Sequence, residues 1–246
     1  GENVFTYEYE GMSRLISKLA RTTGGVTEYS YNDPLKRLTG IMNKDANGTL
    51  VNSHDLTYND LDLIERDTLV NEIPFTSLRG GTTSYNYNIL NQLESSTTPD
   101  RSYSYDADGS LITGYTPDGY IMNMAYDAEN RLKSAEFTDD KYTTRRTEYY
   151  YSGDSFLSEV KKYENDVLKS DTHFIRNGEL VLQERDETEH VLKEYTWGRD
   201  MSGGIGGLLH MKQESGDYDY LYDGKGNISA ITDSNGDIAV RYRYDE

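Results

Sequence analysis

The sequence predicts an all-β chain of tandem antiparallel hairpins that build a curved strip. Three observations carry this prediction. An aromatic residue followed by a short polar turn returns about every 23 residues, tyrosine stands two residues before most of these positions, and Gly- or Asp-rich turns interrupt the chain every ten residues or so. Side chains at i and i+2 share one face of a strand. No segment keeps the 3.6-residue period of a helix.

The repeat is anchored at Tyr9, Tyr31, Tyr58, Tyr87, Tyr105, Tyr126, Tyr151, Phe174, Trp197, Tyr222 and Tyr244, with gaps of 18 to 29 residues. Leu or Ile stands six residues after eight of them, at Leu15, Ile64, Leu93, Leu111, Leu132, Leu157, Leu180 and Ile228. Tyr31 has Leu38 at seven, as if Pro34 were inserted. Each anchor therefore ends a strand, and each Leu or Ile opens the return strand. Between them lie "NDPLK" after Tyr31, "DADGS" after Tyr105, "DAENR" after Tyr126 and "DGKGN" after Tyr222. In these turns Asp and Asn supply side-chain-to-backbone bonds, and Gly and Asn supply positive φ. A second set of turns, "TTGG", "DANG", "TPDG" and "DSNG", leads to the following unit. Two strands of about six residues plus two turns consume about 22 residues, which matches the period. In register, the tyrosine pairs would form a ladder of cross-strand aromatic neighbours.

Composition agrees with a wetted sheet. Apolar residues are 35% of the chain, with 23 Tyr against 5 Phe and 1 Trp, below the roughly 45–50% usual in globular domains. Such surface carries hydroxyls and suits a sheet facing water better than a thick aliphatic core. A net charge of −18 speaks against nucleic acid, which needs a basic footprint, and against anionic membranes. No apolar run is long enough to span a bilayer, and Gly1 opens no signal peptide. The absence of Cys excludes disulfides and thiolate metal sites. The chain opens without Met and stops at "RYRYDE", in mid-pattern, and is read as a fragment of a longer protein.

Four candidate chemistries meet the residues as follows. "DMSGGIGGLL" at 200–209 offers Gly204 and Gly206 but Leu209 where a dinucleotide fingerprint needs a third glycine, and no Gly-Lys-Ser/Thr follows. It reads as a modified turn that lets backbone segments approach closely. Asn43, Asp45 and Asn47 before Gly48 imitate a calcium loop, but His54 replaces its terminal Glu, so a hairpin turn is the reading. His54, His173, His190 and His210 are scattered with no two at ligand spacing, and no nucleophile elbow supports a Ser/His/Asp triad. The 43 Asp and Glu mostly occupy turns, where solvated charge explains them. No catalytic, cofactor-binding or metal-binding residue is assigned.

The segments "YDADGSL", "YDAENRL" and "YDGKGNI" resemble the YD-repeat signature of Rhs and YD-repeat proteins. "YTWGRDMSGGIGGLL", followed by "YLYDGKGNISAITDSNGDIAVRYRYDE", is similar to the terminal part of bacterial Rhs cores. The resemblance spans essentially the whole chain, with Phe174 and Trp197 as divergent anchors. It implies one strip over residues 1–246, of about ten hairpins, as a segment of an Rhs-type β-shell. Relatives of that family include the C-components of insecticidal toxin complexes and the teneurins. The implied role is structural and not enzymatic: the shell encloses a C-terminal toxin or effector polypeptide of the same chain, in a bacterial protein that is secreted or held at the cell surface. The chain ends at Glu246, before the segment where such shells release their cargo, so no cleavage residue carries over. A glycan-binding or adhesion module, using exposed Tyr or Trp197 to stack sugars, is the alternative. A polysaccharide hydrolase built on paired carboxylates comes third. Strand edges at "VFTYEYEG" and "VRYRYDE" are expected to favour self-association.

Overall fold

The computed structural model describes residues 4–70, 84–97, 99–198, 207–223 and 225–242, and every regular element among them is a β-strand. The chain divides into two compact units, one made of Gly1–Thr76 with Lys193–Glu246 and the other of Ser77–Leu192. In the first unit the N-terminal sheet runs in chain order through β1 (Phe5–Tyr9), β2 (Ile16–Arg21), β3 (Val26–Ser30), β4 (Gly40–Lys44), β5 (Leu50–Tyr58) and β6 (Ile64–Val70). The second unit opens with a small sheet of β7 (Tyr85–Tyr87), β8 (Leu93–Thr97) and β9 (Asp100–Ser102). Its main ladder follows as β10 (Ser104–Tyr105), β11 (Leu111–Tyr115), β12 (Ile121–Tyr126), β13 (Leu132–Thr138), β14 (Thr144–Tyr151), β15 (Leu157–Glu164), β16 (Val167–Asn177) and β17 (Leu180–Arg185). The last strands, β18 (Val191–Trp197), β19 (Leu208–Gln213), β20 (Gly216–Tyr222), β21 (Ile228–Thr232) and β22 (Ile238–Arg241), belong from Lys193 onward to the first unit.

One turn is used again and again. The Asp106 carboxylate accepts the backbone N–H groups of Asp108 (3.0 Å) and Ser110 (2.9 Å), and Asp127 does the same for Glu129 and Arg131. Asp45, Asn59, Asn88, Asp139, Asp186, Asp223 and Asp233 repeat the arrangement. The third residue after the cap takes positive φ, as at Asp62, Asn91, Gly109, Asn130 and Gly226. A type I turn closed by a left-handed residue adds one residue to the return strand, a bulge that matches the twist of the hairpin. The register shifts at the anchor, at Tyr9, Tyr58, Tyr87, Tyr105, Tyr126, Tyr151, Trp197 and Tyr222, with the extra residue on the facing return strand. Seven return strands open on the expected apolar residue, from Ile64 to Ile228. In the first hairpin the strand opens on Ile16, one residue beyond Leu15.

Burial differs between the units. In the second, side chains on both faces are half-buried, as along the whole of β17, and the described fully buried residues are Ser96, Gly114, Thr116, Val160 and Asp171. In the first, Val51 of β5 packs with Leu221, Ala230 and Ile238 of the last strands, flanked by buried Leu19, Ile41, Leu56 and Leu209. Its N-terminal sheet and its last strands therefore face each other across one thin apolar centre.

Turns also meet there. Gly236 has φ +82°, and a Cβ on it would lie 2.5 Å from Ala46 Cβ. Gly48 has φ +80° but open space around it. Gly48→Ala should destabilise the chain by about 1–2 kcal/mol, the left-handed penalty alone. Gly236→Ala adds overpacking worth about 1–3 kcal/mol. Urea midpoints of the two variants measure the difference, and equal midpoints would remove the turn-on-turn contact from the account.

Candidate functional site

The anchors are joined to the sheet by their hydroxyls. Tyr31 donates to the Ile16 carbonyl (2.9 Å), Tyr58 to Leu38 (2.7 Å), Tyr105 to Leu93 (3.0 Å), Tyr126 to Leu111 (3.0 Å), Tyr151 to Leu132 (2.9 Å) and Tyr222 to Leu208 (2.9 Å). Each acceptor opens, or lies just before, the return strand of the preceding hairpin. At these six anchors the bond therefore staples a hairpin to its predecessor at the carbonyl next to the turn. Tyr105 makes it between the small sheet and the main ladder of the second unit. Burial raises the phenol pKa of Tyr31, Tyr58, Tyr126 and Tyr151, so the donor proton is retained.

The exception shows what the site requires. Phe174, singled out as an anchor, has no hydroxyl and lies ahead of the register shift between Ile175 and Arg176. There Arg176 takes over: its Nε donates to the Leu157 carbonyl (2.9 Å) and its guanidinium lies 5.8 Å from the Phe174 ring centre. Tyr9 and Tyr87 stand at the register shift but are exposed, at 44% and 57%. Trp197 also sits at its register shift, and Tyr244 lies outside the described residues. Ring contacts stand beside these hydroxyl staples: Tyr103, partner of Tyr105 in its Tyr-x-Tyr pair, meets Tyr115 edge-on (5.6 Å), and Tyr120 stacks on Phe137 (5.9 Å).

The remaining letters of the repeat also acquire roles. In "YDAENRL", the backbone N–H of Arg131, followed by its guanidinium, holds Asp127 below the usual carboxylate range. Arg131 spans from Asp127 (2.7 Å) to the face of the next anchor, 4.6 Å from the Tyr151 ring centre. Arg37 repeats this with Asp33 and the Tyr58 ring, also at 4.6 Å. Cation and ring together cover the turn.

In the first unit a second device crosses between the sheets. Arg21 donates to Thr27 Oγ1 (3.0 Å) and the Tyr220 carbonyl (3.2 Å), and Thr27 donates to Asn43 Oδ1 (2.8 Å). Asn43 then donates to Asn52 Oδ1 (2.8 Å) and the Tyr222 carbonyl (3.1 Å), and Asn52 to Ser229 Oγ (2.9 Å). The four donors of this relay, Arg21, Thr27, Asn43 and Asn52, are buried. Burial lowers the Arg21 pKa, with Asp219 opposing. Thr23 donates to Asp219, whose other oxygen lies 2.9 Å from His210 Nδ1. Here the carboxylate stands between hydroxyl and imidazole, the wrong order for a hydrolytic triad, and the pair is enclosed at 2% and 1% exposure.

Other sequence candidates resolve plainly. Asp45 caps its turn and Asn43 faces the relay, while His54 Nδ1 lies 3.0 Å from both oxygens of Asp67. The calcium-like spacing is thus divided among three tasks. Residues 199–206 of the glycine-rich stretch lie outside the described residues. Its described end supports close approach, since a Cβ on Gly207 would come within 3.2 Å of the Tyr222 ring. One cluster was missed in the sequence: Glu159, Asp171 and His173, brought together by the β15–β16 register.

No family model matches the chain. The fold is Rhs-like, the tandem-hairpin sheet found in Tc toxin chains. The Photorhabdus luminescens Tc holotoxin pore superposes over 98% of this chain and 15% of that one, with TM-score 0.55 and 15% identity. A TcdB2–TccC3 crystal structure covers 98% and 16%, with TM-score 0.54 and 14% identity. Among curated proteins, the chain is 30% identical over 186 residues to the tRNA3(Ser)-specific nuclease WapA of Bacillus spizizenii and 29% identical over 186 to the tRNA nuclease WapA of Bacillus subtilis. Each match covers 73% of this chain and spans only 7% of the curated relative.

Two outcomes test the staple. Tyr126→Phe should lower stability by about 1 kcal/mol, the net worth of a hydrogen bond, while Tyr126→Ala should lower it by about 3 kcal/mol. Equal chemical-denaturation midpoints for the wild type and Tyr126→Phe would mean that the ring alone does the work. The second outcome concerns acid. Asp127, Asp139 and Asp186 are held low by the backbone N–H of Arg131, the backbone N–H of Thr143 and the Thr188 hydroxyl respectively. Their unfolded carboxyls titrate near about 3.9, so the native state binds fewer protons across the window below that value. Their contribution is complete above it and is lost as pH falls through the depressed folded values. Thermal midpoints measured from neutral pH downward should drop below about pH 4, and Asp127→Asn should flatten part of that drop.

Proposed function

We propose that this chain is a wall segment of an Rhs-type toxin protein, a structural part that encloses a C-terminal toxin or effector polypeptide and has no turnover of its own. One observation carries the reading. Each staple runs from one hairpin to the one before it, and in the second unit both faces of the sheet stay half-buried. Such a sheet extends by adding hairpins and does not depend on a thick core, which is what a wall between two aqueous spaces needs. Likeness of fold to Tc toxin chains supports it. The nuclease activity in the WapA names belongs to proteins of which this chain matches 7%. Their toxic step is then assigned to another part of such a protein, and the hairpins to its housing. Secretion or display at the bacterial surface follows from the same reading, as does end-to-end pairing through the edge strands β1 and β22.

Limited proteolysis of the full gene product tests the proposal. The polypeptide downstream of the hairpins should resist protease, and become cleavable when Tyr126 and Tyr151 are both changed to Ala. The isolated chain should cleave neither tRNA nor polysaccharide. Cargo digested equally in both forms would overturn the enclosure. Hydrolysis lost on one Asp, Glu or His substitution would overturn the structural role, and retention on a glycan array would favour adhesion.

A further inference from the structure

We propose that Glu159, Asp171 and His173 form a binding site for a divalent transition ion of the zinc class, clipping β15 to β16. The inference rests on local geometry and stands apart from the enclosure reading.

The register builds the site. Glu159 pairs with His173 and Lys161 with Asp171 across the ladder, and since the residues on each strand are two apart, all four side chains share one face. His173 Nε2 lies 3.3 Å from Asp171 Oδ1 and 3.6 Å from Glu159 Oε1. Bonds of about 2.0–2.1 Å to a tetrahedral ion separate its ligands by about 3.3 Å. Both separations from the ring nitrogen fit such an ion, and all three donor atoms lie within 4.8 Å of one another. A His with two carboxylates suits zinc and its neighbours, and leaves the fourth position to water.

A second observation points to a ligand. Asp171 is 8% exposed, and its Oδ1 is buried with no hydrogen-bond partner among the described residues. A buried carboxylate oxygen without a donor is strongly disfavoured. The atom it faces is His173 Nε2, and a neutral ring nitrogen presents its own lone pair when the proton is on Nδ1. A cation between them removes the conflict. On the far side of the ring a carboxylate is at hand: His173 Nδ1 lies 3.7 Å from Glu189 Oε1, and Arg185 holds Glu189 at 3.1 Å, so that a small closing movement on ion binding would give the carboxylate–histidine pairing that orients metal ligands. His173 and Glu159 retain 32% and 25% exposure, so an ion has a way in.

Lys161 is the built-in competitor. Its ammonium lies 2.9 Å from Glu159 Oε1 and 3.5 Å from Asp171 Oδ2. An incoming ion takes Glu159 Oε1 from it, and the lysine keeps the Tyr150 ring, 5.3 Å away. Like charges at this range oppose each other, so Lys161 sets the affinity.

Cobalt(II) titration of the whole chain, followed by its visible d–d absorption, tests the site. One equivalent should bind with the intense bands of four-coordination and be displaced by zinc. His173→Ala should abolish the bands, His190→Ala should leave them intact, and Lys161→Met should tighten binding about tenfold or more. Should His173→Ala fail to fold, Glu159→Gln serves in its place, with zinc raising the thermal midpoint of the wild type and not of that variant. Absence of bands, bands that survive both substitutions, or weaker binding in Lys161→Met would each overturn the proposal.

Discussion

The fold depends on one hydrogen bond made over and over, from a tyrosine hydroxyl to the carbonyl beside the previous turn. A strand pair satisfies its own ladder but leaves the chain near the turn free to splay. The anchor stands where the register shifts, opposite the bulge of the return strand, and the phenol is long enough to reach one hairpin back. Because the acceptor is backbone, the bond asks nothing of the side chain at Leu111 or Leu132 beyond a place in the pattern. The donor is what matters, and Arg176 can supply it where Phe174 cannot.

This explains how a chain with 35% apolar residues folds at all. In the second unit stability is spread over many half-buried contacts, turn caps and Arg-over-Tyr pairs, none of them large. The first unit adds a thin apolar centre and a buried relay from Arg21 through Thr27, Asn43 and Asn52 to Ser229. A relay of this kind is satisfied only in one register, since a slip of one residue would leave four buried polar groups without partners. Apolar packing brings the two sheets together, and the amides fix how they meet.

Much of the fold was legible because its signals are local. Asp at the first turn position, Gly or Asn three residues later and Leu at the start of the return strand can each be read within seven residues. Tyr-x-Tyr announced a strand face but not what the hydroxyl would do, because the acceptor sits in another hairpin. Arg176 was invisible for the same reason: aromatic spacing drew attention to Phe174, and only the register shift at Ile175 places the arginine at the anchor position. The cluster of Glu159, Asp171 and His173 has no ligand spacing along the chain and exists through pairing alone. Asn43 looked like part of a cation loop because sequence separates it from Asn52 and Tyr222, its true partners.

The make-up of the first unit governs the order in which the protein can fold. In the second unit every staple closes a short loop, so hairpins can be added as the chain lengthens, each on a finished neighbour. The first unit breaks that rule, for Asn52 meets Ser229 across 177 residues and Arg21 meets Tyr220 across 199. Its early strands must wait, with Val51 and Asn43 uncovered, until the last hairpins arrive, and closing so long a loop carries the largest entropic barrier in the molecule. The first unit is thus closed by a clasp: β20 and β21 are locked by strands made long before them.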